Sequence, residues 1–293
     1  MQLDKTRIVI RQRGLLEICD LALRVTRTYA GPLLATMVLG ALPLAVIHYL
    51  LIGAVVDPDY YTGGDVARYI WNMTQLVYLT APLATVPVTL YLGEAMFMEQ
   101  PTAGKMIRWI WQLLGRIVVC QVLLRGIQLS WIMMWTIAPE VFSVGEGLLP
   151  LLSLFVLVLR STRPYLNEII LLERNPLRAS GAKHLTIARR SSKLHRPNTG
   201  DLIARSLGSV LLAVLLTVSL ALTFWFMQGT FLGNWDWGPV MIHICLPASM
   251  WLVAGFFAVV RFLSYLDLRI RREGWAVELR LRAEAARLER QWG

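Results

Sequence analysis

PLLATMVLGALPLAVIHYLLIGAVV, residues 32–56, carries no Asp, Glu, Lys or Arg. A bilayer's hydrocarbon core of about 30 Å is crossed by about 20 apolar residues in helical form, so this stretch reads as a transmembrane helix. Five more runs of the same kind follow, at about 69–98, 117–138, 148–171, 204–228 and 239–263. The chain as a whole agrees. Of 293 residues 56% are hydrophobic and only 16% charged, with a mean hydropathy of +0.54, whereas a soluble domain carries about 25% charged residues. The fold expected is all-α, a polytopic membrane helix bundle of about six transmembrane helices over 32–264. The fourth run is the weakest. Its uncharged part ends at Leu159, so it spans only if the helix continues through Arg160, Arg163 and Pro164 into YLNEIILL.

Loop charge sets the orientation. With the N-terminus inside, segments 1–31, 99–116, 160–205 and 261–293 hold 27 of the 29 Lys and Arg residues. The opposite loops 57–68, 139–147 and 229–238 hold Arg68 alone, against Asp57, Asp59, Asp65, Glu140, Glu146 and Asp236; Arg125 lies within the third run. This is the positive-inside pattern. It predicts a multi-pass membrane protein with both termini cytoplasmic. Tyr60, Tyr61, Trp235 and Trp237 fall at the outer boundary, where interfacial aromatics gather.

A net charge of +10 is then explained by anionic lipid headgroups on the cytoplasmic side. No aromatic-interleaved basic motif suggests nucleic acid. Cys19, Cys120 and Cys245 are an odd, widely spaced set that forms neither a disulfide framework nor a zinc site. No short apolar core with a cleavage site precedes the first run, which reads as a retained helix.

Three cytoplasmic segments have helical periodicity. In 7–28 the charges Arg13, Glu17, Asp20, Arg24 and Arg27 oppose a face of Leu15, Ile18, Cys19, Ala22 and Val25, as in a helix lying along the inner leaflet. A second helix is expected from Asn175–Pro176, a cap followed by proline at the first helical position, to about Arg190, with SSKLHRPNTGD as a linker. The third is the tail 265–293, with a bend at Gly274.

No nucleotide loop and no metalloprotease, dithiol or serine-hydrolase motif occurs, so neither catalysis nor a cofactor is expected. His48, His184, His195 and His243 are scattered and suit packing or interhelical hydrogen bonds. The intramembrane charge is more informative. Arg125, flanked by Gln121 and Gln128, lies one to two turns or more inside the third run, and such a residue needs a partner or a wet cavity. Glu94 and Glu168 are the candidate partners. Together Glu94, Arg125, Arg160, Arg163 and Glu168 form either a polar path or headgroup pocket, or a structural ion pair with Arg160 and Arg163 snorkelling to the interface. A second candidate set is a cytoplasmic docking motif, in which Glu173 and Arg174 meet Asp267, Arg269, Arg271, Glu273 and Gly274.

The form Y-x-D-x-R-x-R-x-E-G at Tyr265–Gly274, with Leu172–Glu173 before Asn175–Pro176 and then Ala179–Ser180, resembles bacterial six-helix membrane proteins related to the membrane domain of glycerophosphoryl diester phosphodiesterase. The resemblance covers about residues 100–280 and implies that the membrane is the bacterial cytoplasmic (inner) one. It implies a membrane domain only, because in that family the phosphodiesterase chemistry belongs to a separate soluble barrel, and that barrel's catalytic His and Glu motifs are missing here. The expected role is a non-enzymatic scaffold, partner subunit or lipid-interacting element, in contact with a membrane protein partner or a second copy. Small residues, Ala41 and Ala45 or Ser209 and Ala213, permit close helix contacts. The alternative is a transporter or permease-like subunit with a polar path near Arg125.

Overall fold

The computed structural model describes residues 14–56, 62–95, 103–137, 141–177 and 186–272. These residues form helices α1 (Leu15–Thr28), α2 (Ala30–Ile52), α3 (Gly63–Ala84), α4 (Val86–Ala95), α5 (Ala103–Ile117), α6 (Ile127–Trp135), α7 (Val144–Thr162), α8 (Leu166–Leu171), α9 (Ile187–His195), α10 (Thr199–Leu232) and α11 (Leu246–Arg272). Among the described residues six helical segments are long and apolar enough to cross a membrane. The protein is an all-α bundle of the membrane type.

Where the spans differ from the sequence expectation, backbone chemistry explains it. The fourth begins at Val144, not 148, because Ser143 and Glu146 make a reciprocal capping box that turns GEG into the first helical turn. That gives 19 residues before the helix ends at Thr162. It does not run through Pro164: Arg163, before the proline, leaves helical geometry (φ −137°, ψ 64°), and α8 is a separate short helix. The second span bends at Thr85, between Pro82 and Pro87.

The third span is broken. Helix α5 starts well before the expected 117, passes into a π-helical segment at Val118–Leu123, and stops at a turn closed by Gly126, whose φ of 69° suits only glycine. Helix α6 then resumes.

Helix α11 runs unbroken from the membrane to Arg272, so Tyr265 begins no new element. The Asn175–Pro176 pair opens no helix within the described residues: Asn175 Nδ2 donates to Glu173 at 2.9 Å. Helix α9 starts instead at Ile187, capped by the Thr186 hydroxyl at 3.3 Å from Arg189 N. The expected linker is helical too, as the end of α9, a 3₁₀ turn and the start of α10.

Two cores result. The larger lies within the bundle and includes Met37, Tyr69, Leu76, Trp251 and Phe262. A smaller one, including Met106, Leu113, Ile169, Ile170, Ile187 and Leu268, sits at the end bearing the arginine-rich segments, termed the basic side below. Lipid tails are as apolar as leucine, so close packing rather than expulsion from water holds such a bundle. Gly40 illustrates the closeness: a Cβ there would stand 2.0 Å from the Ala84 carbonyl oxygen. Helix α1 uses its apolar face on protein rather than on the leaflet. Ile18, Ala22 and Val25 are buried, and the helix packs on α11.

Candidate functional site

Helix α10 contrasts with the other spans. Only 6% of its most apolar window is buried. It touches α7 and α11 but leaves a cavity of about 800 Å³ between itself, α3, α7 and α11. The walls are largely apolar, from Leu154, Leu157, Val210, Val214, Val253 and Phe257, and Trp237 lies at the far end. Ser209 and Ala213, expected at a close helix contact, line this space instead.

The basic end of the cavity is walled by Arg125, Arg160, Arg205 and Arg261. Arg125 projects from the broken turn of the third span and is only 7% exposed. Its Nη2 donates to the Arg163 carbonyl at 2.9 Å, an acceptor freed where α7 ends. Arg160, in the last turn of α7, donates to the carbonyl oxygens of Tyr78 and Leu79 and stacks over the Tyr78 ring at 4.5 Å. Arg261 Nε donates to Glu168 Oε1 at 2.7 Å, and its Nη2 to Thr85 Oγ1 at 3.2 Å. The Glu168 side chain is wholly buried.

Of the five residues expected in the polar cluster, the structure brings together Arg125, Arg160 and Glu168. Arg163 is exposed and takes part through its backbone. Glu94 is elsewhere, paired with Lys105 at 3.6 Å. The partner of Glu168 is Arg261, not Arg125. The sequence counts Arg261 among the cytoplasmic charges although it falls at the end of the sixth run; its signal is a lone cation after a charge-free stretch.

Arg205, at the cavity rim, meets Asp201 at 3.1 Å and Asp267 at 3.6 Å, and Arg271 bonds Asp267, one turn before it, at 3.0 Å. These contacts join α10 to α11 below the cavity.

The two docking motifs do meet, by different contacts from those expected. Glu173 accepts a bidentate pair from Arg190 at 2.6 and 2.7 Å and a hydrogen bond from the Tyr265 hydroxyl at 2.7 Å. Arg190 therefore supplies the cation expected from Arg269 or Arg271. Arg269 adds its charge to the surroundings of Glu173. Arg174, at φ 54°, lies over the Trp109 ring at 4.5 Å. Glu273 and Gly274 lie outside the described residues, as do Tyr60 and Tyr61.

Burial would raise the Glu173 carboxyl, but the hydrogen bonds from Arg190 and Tyr265 hold it below its usual value. A depressed folded-state pKa gives stability that is complete above the unfolded value, about 4.3, and is lost as pH falls through the folded one. Glu173→Gln should therefore melt below the parent at pH 7, and the gap should narrow below about pH 4. Tyr265→Phe should cost roughly 1.5–3 kcal/mol at neutral pH, the range for hydrogen bonds to charged groups. Thermal melts in detergent across this pH range check both.

On the opposite side the lone arginine has a partner. Arg68 Nη2 lies 2.5 Å from Glu146, which also accepts from Asn72 at 3.0 Å, tying α3 to the start of α7. His48 is a packing residue, 3.3 Å from the Thr80 hydroxyl and stacked on Trp251. Among the described residues no three His, Cys, Asp or Glu side chains gather in a metal-binding group. Compared with known proteins, the chain matches no family model, no curated protein and no solved structure.

Proposed function

We propose that this chain is a non-enzymatic, lipid-interacting protein of the bacterial cytoplasmic membrane, with both ends in the cytoplasm, that holds the apolar tail of an amphiphile between α10 and the rest of the bundle. The observation that carries this reading is the apolar cavity of about 800 Å³ beside the sparsely packed α10. Its size falls in the range of small-molecule sites, about 300–1,000 Å³. Orientation rests on the positive-inside rule, since the segments assigned to the cytoplasm hold 27 of the 29 Lys and Arg residues of the sequence. The resemblance to the phosphodiesterase family's membrane domain supports the same reading.

A second reading, a transporter or permease-like subunit, is favoured by one observation: the helix break at Leu124–Gly126 places Arg125 beside the cavity, as discontinuous helices do at transport sites.

Purification in mild detergent followed by lipid extraction tests the first reading. It expects about one tightly retained amphiphile per chain, and a melting temperature that falls on delipidation and returns when lipid is restored. A chain that releases all lipid with its melting curve unchanged would refute it. A reporter fused after Gly293 should be cytoplasmic.

A further inference from the structure

Resting on the tail-binding reading above, the geometry points to the chemistry of the occupant's head: we infer that Arg125, Arg160 and Arg261 form a receptor for the phosphate headgroup of a membrane lipid. All three line the basic end of one cavity. Arg160 and Arg261 stand close enough to repel Arg125 electrostatically. Against these three cations the site sets one carboxylate, Glu168, already bonded to Arg261. Among the described residues neither Arg125 nor Arg160 has a carboxylate within ion-pair distance. The fourth cation, Arg205, is matched by Asp201 and Asp267. The site thus carries a surplus of two positive charges at the boundary of the hydrocarbon.

Backbone carbonyls satisfy hydrogen bonds of Arg125 and Arg160 but cancel no net charge. An uncompensated charge removed from water is costly, and an anion in the cavity would offset it. Donors remain to hold one. A guanidinium has five N–H groups, of which Arg125 commits one to Arg163, and both Arg125 and Arg160 line the cavity. The three side chains come from different elements: the broken third span, α7 and α11. Convergent forks of this kind suit a tetrahedral phosphate. A phosphate monoester carries about −1.5 to −2 charges at pH 7, which matches the surplus. A lipid rather than free phosphate fits because the same cavity continues from this end along apolar walls to Trp237.

Delipidated full-length protein in detergent, titrated with phosphatidic acid, phosphatidylcholine, a fatty acid or glycerol phosphate while thermal shifts are read, provides the test. Phosphatidic acid should bind at least tenfold more tightly than the other three. Arg125→Gln and Arg160→Gln should each abolish that preference, Arg125→Lys should weaken it, and the exposed Arg24→Gln should leave it intact. Equal binding of all three lipids, unchanged in Arg125→Gln, would overturn the phosphate receptor and leave the tail cavity standing. No lipid binding at all would remove both. Glycerol phosphate binding as tightly as the lipid would overturn the lipid source, and an equal loss in Arg24→Gln would reduce the effect to general surface charge. Should Arg125→Gln fail to fold, Arg160→Gln decides alone.

Discussion

Glu168→Gln should lose roughly 3–5 kcal/mol of stability, the scale on which removal of one partner strands the other charge of a buried ion pair. The carboxylate is fully buried and is the nearest counter-charge to Arg261. Its loss leaves three guanidiniums facing one cavity. The double variant Glu168→Gln/Arg261→Gln should recover much of the loss, because the stranded charge goes with its partner. Chemical denaturation in mixed micelles would measure both. A single variant as stable as the parent would show that Arg261 finds its compensation elsewhere.

Gly40→Leu should prevent accumulation of folded protein. A Cβ at Gly40 meets the Ala84 carbonyl oxygen at 2.0 Å, its carbon at 2.9 Å and the Pro87 ring at 3.2 Å. The obstacle is backbone held at the bend of the second span, so it cannot rotate aside as a side chain would. Gly40→Ala alone should cost about 1–3 kcal/mol, typical of overpacking. Gly145→Ala should behave alike, since its Cβ would stand 2.0 Å from the Met133 carbonyl. Gly31→Ala is the contrast: nothing lies within 4 Å, and the higher helix propensity of alanine should leave stability equal or raise it by up to about 1 kcal/mol. Membrane abundance and melting temperature read all four.

The helical membrane class was legible because hydropathy over a window of about 20 residues is a one-dimensional property. The interruptions were less so. Residues 117–138 look like one apolar run, and nothing in Leu124–Arg125–Gly126 alone distinguishes a left-handed glycine from a helical one. The early start of α7 was readable in principle, since Ser143 and Glu146 have capping-box spacing, but GEG also reads as turn chemistry. At the site, the charged types and their side of the membrane were evident, but not their pairing. Glu168 is 93 positions from Arg261, and periodicity carries no information across such a gap. Arg190, rather than a cation of α11, partners Glu173 because the Pro176 carbonyl accepts from Ile187 N at 3.1 Å, which seats the start of α9 beside Glu173.

Helix α10 has 34 residues, about 50 Å at 1.5 Å per residue, while the hydrocarbon is about 30 Å thick. It therefore leans steeply or protrudes by several turns, and with no proline in its length it forms one unbroken rod. Its end on the basic side is clasped to α11 by Asp201, Arg205, Asp267 and Arg271. Displacing that clasp would tilt one continuous helix, so a change on the basic side would reach the neighbourhood of Trp237 without passing through the interior of the bundle.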